Sequence, residues 1–174
     1  MVLDKWKIDI LQEGETNKLN IRRAEEKDIE RIMELLKQVL TIHAHIRPDI
    51  FIDGTTKYTK EELIEIINDD NRPIYVATDD DQVVGYAFCI KKSQPFSTNM
   101  IPFESLFIDD LCVDANARGH HIGRSLFEYV KKQAVEMGCY EVTLNVWEGN
   151  DTARKFYENM GMTPKETQME IILK

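Results

Sequence analysis

Residues 113–127 constrain the fold of this chain more than any other stretch. An apolar run ending at Val113 turns through the basic loop Arg118-Gly119-His120-His121-Ile122-Gly123-Arg124 into a helix whose apolar face is Ile122, Leu126, Phe127, Val130 and Ala134. A strand that feeds a helix through a glycine-punctuated turn exposes the first N–H groups of that helix, which have no intrahelical partner and lie at the positive end of its dipole. Such a turn takes an anion, and glycine lets the ligand approach the backbone closely. Two familiar phosphate loops are excluded by spacing. Three residues separate Gly119 from Gly123 and Arg124 follows, whereas a Walker loop has four and then Lys, and no G-x-G-x-x-G is present.

The flanking sequence supplies strands and helices in alternation. Leu19, Ile21 and Ala24 open a strand, and Ile29, Ile32, Met33, Leu36, Val39 and Leu40 repeat at helical spacing. Residues 43–58, with Arg47-Pro48 and Asp53-Gly54, read as irregular until Thr59 and Glu62 offer a capping box for a helix through Leu63, Ile66 and Ile67. Residues 74–78 and 83–90 read as a hairpin turning at Asp79-Asp80-Asp81, and residues 106–113 as the next strand. After the long helix, closed by Gly138, come a strand over 141–147, a short helix capped by Asn150, and a last strand over 167–173 with Met169, Ile171 and Leu173 alternating. The order β-α-α-β-β-β-α-β-α-β implies an α/β (α+β) fold, with a mixed sheet covered by helices on both faces. Residues 1–18, where Trp6, Ile8 and Ile10 alternate with charge, form an N-terminal arm or extra strand; residues 19–174 form one domain.

Twenty-two Lys and Arg against 31 Asp and Glu leave a net charge of -9, which argues against nucleic acid or an anionic membrane as partner and suits a cationic one. Cys89, Cys112 and Cys139 make no C-x-x-C pair, so they read as reduced thiols of a cytoplasmic protein, with no metal or disulfide. His43 and His45 stand two apart, not at the i, i+4 spacing of a helical metal pair.

The loop Arg118 to Gly123 resembles the acetyl-CoA-binding motif of the GNAT N-acetyltransferase superfamily, Arg/Gln-x-x-Gly-x-Gly/Ala, with His121 in place of the middle glycine. The strand Ile108-Asp109-Asp110-Leu111-Cys112-Val113 resembles the family strand that holds the pantetheine arm. Asn150, Ala153, Phe156, Tyr157, Gly161 and Met162 resemble its second block, and Ile21-Arg22-Arg23-Ala24 with Asp28 its opening. The resemblance implies a three-layer α/β/α architecture whose mostly antiparallel, twisted sheet splays between the strands around Val113 and Val146. It implies acetyl-CoA as co-substrate. The arm would lie on Leu111, Cys112 and Val113, the pyrophosphate on Arg118, Gly119, His120, His121, Ile122, Gly123 and Arg124, with Asn150 and Tyr157 also touching the cofactor. It further implies pairing of two copies, as in many relatives.

Acetyl transfer to an amine needs a base for the ammonium proton, a polarised carbonyl and a proton for the departing thiolate. Asp109 is the first candidate base and Asp110 the second, directly or through water; strand alternation predicts that they face opposite ways. Either one also reads as a fold-bracing polar residue. A free N–H near Leu111 is the candidate oxyanion donor. Tyr157 is the candidate acid, because a phenol of pKa ~10 donates to a thiolate without first being ionised; as packing, Phe156 and Met160 fill the core face and leave it turned aside. Cys112 reads as packing rather than an acylated nucleophile, which favours direct transfer in a ternary complex. The acceptor is then the amine of a small molecule or peptide, met by residues 43–58 and 92–103. The rival reading is a non-catalytic acyl-CoA-binding or regulatory module.

Overall fold

The computed structural model describes residues 19–93 and 98–173 of the 174. Five strands, β1 (Asn20–Arg23), β2 (Ile74–Asp79), β3 (Gln82–Ser93), β4 (Glu104–Val113) and β5 (Glu141–Leu144), form one sheet in chain order. The first three pairings are antiparallel and β4 runs parallel to β5. Helices α1 (Ile29–Ile46) and α2 (Lys60–Ile67) cover one face, and α3 (Ile122–Glu136) and α4 (Asp151–Asn159) the other. The expected three-layer mixed sheet is therefore present.

Period-two alternation sends Ile74, Val76, Tyr86 and Phe88 toward Ile32, Leu35, Leu36 and Leu63, and Tyr75, Ala77, Ala87 and Cys89 toward Leu126, Phe127 and Val130. Because both faces are covered, β2 is buried from Ile74 to Thr78 and shows no polar face. Each fully buried Leu or Val on these faces contributes roughly 1.5–3 kcal/mol.

Helix α1 continues through His43 and His45 to Ile46, past the point where irregular chain was expected, and stops where Pro48 disfavours helical geometry at Arg47 (φ -133°, ψ 70°). The α2 capping box forms as expected: the Thr59 hydroxyl accepts from the Glu62 N–H at 3.2 Å and Glu62 accepts from the Thr59 N–H at 2.8 Å. The β2–β3 turn places Asp80 and Asp81 at φ 46° and 63°, the left-handed pair of a two-residue I′ turn built without glycine. At Gly85 a Cβ would stand 2.8 Å from the Cys112 carbonyl oxygen and 3.1 Å from Leu126 Cδ1, so only glycine lets α3 and β4 close this tightly.

Two further sequence expectations change. The strand expected over 141–147 ends at Leu144. The strand expected over 167–173 is absent: Met169, Ile171 and Leu173 are 85%, 82% and 89% exposed, because no neighbouring strand completes a ladder for them. Two ion pairs instead tie the tail down, Lys165 to Glu141 (2.5 Å) and Arg47 to Glu170 (2.7 Å). The expectation for residues 1–18 lies outside the described residues, as does the part of the 92–103 stretch at 94–97.

Candidate active site

The sheet opens where β4 outlives β5. Pairing runs only from Ser105 opposite Glu141 to Ile108 opposite Leu144, while β4 continues to Val113. Residues 109–113 therefore keep β3 on one side and have no β5 neighbour on the other. The parting of strands expected around Val113 and Val146 falls earlier in the chain, where β4–β5 pairing ends at Ile108 and Leu144.

A β-bulge sits at the same place. Phe88 opposes Asp110 and Cys89 opposes Ile108, so Asp109 is an extra residue in β4. The bulge overrides the alternation that was to separate the two carboxylates. Asp110 shares the face of Tyr86 and Phe88, and its Oδ2 accepts the Tyr86 hydroxyl at 2.8 Å. Asp109 turns to the same side: its Oδ2 accepts from Tyr58 Oη at 3.0 Å and Lys57 Nζ at 2.6 Å, and Tyr58 stacks on Phe88 at 5.5 Å.

Burial dominates the electrostatics of Asp110. Desolvation, opposed by the Tyr86 hydrogen bond, the Lys57 charge and the Leu111 N–H but reinforced by the Asp109 charge, pushes its carboxyl up to about 6. Such a carboxylate is ionised at neutral pH and is a stronger base than an ordinary aspartate. The Leu111 N–H, the expected oxyanion donor, leans on this carboxyl. Burial of Lys57 lowers its pKa, but the Asp109 hydrogen bond and charge outweigh it and hold the ammonium above its ordinary value.

Tyr157 is not turned aside from the core as expected. Its ring packs 6.0 Å from Phe127 and 5.0 Å from Phe156, sharing the α3 face with its neighbour. Burial, and then the negative charge of Asp110, raise its phenol, which stays protonated across the physiological range. Asn150 caps α4 as expected, its side chain accepting from the Ala153 N–H at 3.2 Å. Cys112 is buried against α1, its Sγ 3.8 Å from the Leu35 carbonyl oxygen, and desolvation pushes the thiol up to about 12. A thiol so protonated is a poor nucleophile.

Beyond Val113, the turn is anchored by a residue that sequence reasoning passed over. Buried Asp114 accepts from the Asn116 N–H at 3.0 Å and pairs with Arg31 of α1, whose Nε donates to the Val83 carbonyl at 3.1 Å. Arg118, Gly119, His120, His121 and Arg124 are exposed, Ile122 is buried, and Gly119 has φ +88°. His121 takes φ 60° at the N-cap with no side-chain capping bond, so it adopts the left-handed geometry that favours glycine while the residue stays exposed. Gly123 lies where α3, β4 and α4 meet: a Cβ there would be 3.5 Å from both Val113 Cγ2 and Phe156 Cζ.

The stretch expected near the acceptor supplies an aromatic wall as well as Lys57 and Tyr58. His43 lies 5.2 Å from the Phe51 ring, Phe51 lies edge-on to Trp147 at 5.5 Å, and the Arg47 guanidinium sits 5.6 Å from the Trp147 ring. Desolvation, with the Lys57 charge, lowers the His43 pKa and keeps that ring neutral at pH 7. From the other expected stretch, Lys92 Nζ lies 3.4 Å from the Phe107 ring. Among the described residues no three His, Cys, Asp or Glu side chains are placed to hold a metal ion.

Comparison with known proteins agrees with this layout. Glucosamine 6-phosphate N-acetyltransferase 1 of Dictyostelium discoideum is 29% identical over 126 residues, 67% of this chain and 75% of that protein. Glucosamine 6-phosphate N-acetyltransferase of Arabidopsis thaliana is 37% identical over 62 residues, a match spanning 36% of this chain and only 40% of that protein. A crystal structure of a mutant of the BH1408 protein from Bacillus halodurans superposes with a TM-score of 0.85 at 28% identity, covering 89% of this chain and 99% of that one. The model of the acetyltransferase (GNAT) family matches residues 24–162. GNAT enzymes use acetyl-CoA as co-substrate. With its sheet parting beside the half-buried carboxylates of Asp109 and Asp110 and the family model matched over most of its length, this chain belongs to the GNAT acetyltransferase family.

Proposed function

We propose that the chain transfers the acetyl group of acetyl-CoA directly to the primary amine of a small-molecule acceptor, within a ternary complex. The observation that carries this reading is the pair of carboxylates brought to one side of β4 at the point where β5 leaves it. Asp109 holds the acceptor ammonium. Asp110, with its carboxyl near 6, takes the proton, reversing the order in which the sequence ranks them. The cofactor arm lies along Leu111, Cys112 and Val113, and its pyrophosphate sits on the open N-terminus of α3 between Arg118 and Arg124.

Tyr157, held protonated, donates a hydrogen bond to the developing thiolate and so stabilises the charge that leaves with sulfur. Inert Cys112 supports transfer without an acyl-enzyme. Names of the relatives make amino sugars the first acceptors to try; the net charge of -9 favours polyamines next, and peptide amines follow. Exposed Met169, Ile171 and Leu173, together with the outer edge of β5, the last strand of the sheet, support a homodimer, and three unpaired cysteines support a cytoplasmic setting.

A thermal-shift titration with acetyl-CoA, followed by an amine panel containing glucosamine 6-phosphate, spermidine and a lysine peptide, tests the reading through thiol release. Saturable stabilisation and thiol release with one amine are expected. Stabilisation without release on any amine would establish the binding-module alternative, and no stabilisation would remove the cofactor assignment.

A further inference from the structure

We propose that Lys57 is an internal acceptor, acetylated by the chain's own active site when acetyl-CoA is bound and no external amine competes. The inference rests on the acetyltransferase reading above. Lys57 Nζ stands 2.6 Å from Asp109 Oδ2, which is where that reading places the ammonium of an acceptor. Its neighbour Tyr58 fixes the approach: the Tyr58 hydroxyl bonds the same carboxylate oxygen at 3.0 Å while its ring is stacked on Phe88. The segment carrying both residues is held at its far end by the capping box that starts α2. Lys57 is thus delivered to the carboxylate by an ordered stretch of chain, with its side chain still partly open to solvent.

At rest the Asp109 charge keeps this amine protonated, as it would any amine bound there. The step balances as follows. The ammonium gives one proton to the carboxylate pair, and the freed Nζ lone pair attacks the thioester carbonyl carbon. A C–N bond forms, the C–S bond breaks, and the electron pair leaves on sulfur. The second proton lost from nitrogen ends on the thiolate. One ammonium and one thioester give one amide, one thiol and one released proton. Acetylation removes the Lys57 charge, so the 2.6 Å ion pair is lost and Asp109 is left open to an external acceptor.

The test is incubation of the full chain with acetyl-CoA alone, with peptide mass mapping over time. Lys57 is expected to be labelled at least about 100-fold faster than exposed Lys131 and Lys132, because positioned groups react at high effective concentration. Labelling should saturate with acetyl-CoA and slow with Asp109→Asn while the two exposed lysines are unaffected; Lys57→Arg should remove the fast site. Labelling of Lys57 at the rate of the exposed lysines, or equally fast in heat-unfolded chain, overturns the proposal. If amine turnover is measured while Lys57 stays unlabelled, this inference alone falls; if acetyl-CoA neither stabilises the chain nor is turned over, the function reading falls and takes the inference with it.

Discussion

Replacing Asp110 with Asn should make the protein more stable and less active together, in a way that depends on pH. Asn keeps the shape and an oxygen to accept the Tyr86 hydroxyl, but removes a charge from a site that displaces its water. The folded carboxyl titrates near 6 and its ordinary value is 3.8. Between those values the folded chain holds a proton that the unfolded chain has released, so stability falls as pH rises from about 4 to about 6, and the whole penalty persists above that. At about 1.4 kcal/mol per pH unit, a gap of about 2 gives roughly 3 kcal/mol. For a domain of this size each kcal/mol moves Tm by roughly 2–4 °C, so Asp110→Asn should raise Tm by roughly 6–12 °C at pH 7.5 and by about 0 °C at pH 4. Melting curves at both pH values check the first half. Steady-state kinetics check the second: kcat should drop by about 100-fold or more, and the wild-type kcat/KM should rise with pH through an apparent pKa near 6. A Tm difference that is the same at pH 4 and pH 7.5 would refute the electrostatic argument, and retained kcat would return the base role to Asp109.

Tyr157→Phe keeps the packing on Phe127 and Phe156, so kcat should fall by roughly 100-fold while calorimetry finds acetyl-CoA affinity little changed; an equal loss in both would make the phenol a binding group only. Gly85→Ala would force a methyl against the Cys112 carbonyl oxygen, and denaturant titration should register a loss of about 1–3 kcal/mol. At His121 the left-handed backbone strains any residue with a Cβ, so His121→Gly should stabilise the chain by up to about 1 kcal/mol in the same titration without loss of acetyl-CoA binding.

The layers and the turn from β4 into α3 were legible because their signals are local. Helical spacing marks Ile122, Leu126, Phe127 and Val130, the Thr59 and Glu62 caps sit where the sequence placed them, and the order of elements through α4 is that read from the residues. The arrangement of the carboxylates was not legible, because a bulge belongs to two strands at once: nothing in β4 alone says that β3 will skip Asp109. A pair of acidic residues inside an otherwise apolar strand is the one signal that could have prompted the question. Lys57 and Tyr58 fell within the stretch expected at the acceptor, yet their pairing with Asp109 links residues more than fifty positions apart in sequence and only the fold brings them together. The final strand failed for the opposite reason. Met169, Ile171 and Leu173 do alternate, but alternation becomes a strand only where a neighbour offers hydrogen bonds.

On the proposed function, the packing at Gly123 makes the protein a gauge of cofactor length. The first turn of α3, the end of β4 at Val113 and Phe156 of α4 pack together there, which joins the turn proposed to take the pyrophosphate to the helix that carries Tyr157. The span between them is fixed by packing before any ligand arrives. A carrier whose thioester lies at the right reach from its pyrophosphate finds both ends met together, while a shorter thioester carrier satisfies one end at the expense of the other. A methyl at position 123 fits at ordinary contact, 3.5 Å from Val113 and Phe156, whereas a bulkier side chain would have to push α4 from α3 and so lengthen the gauge, which should lower cofactor affinity and turnover together.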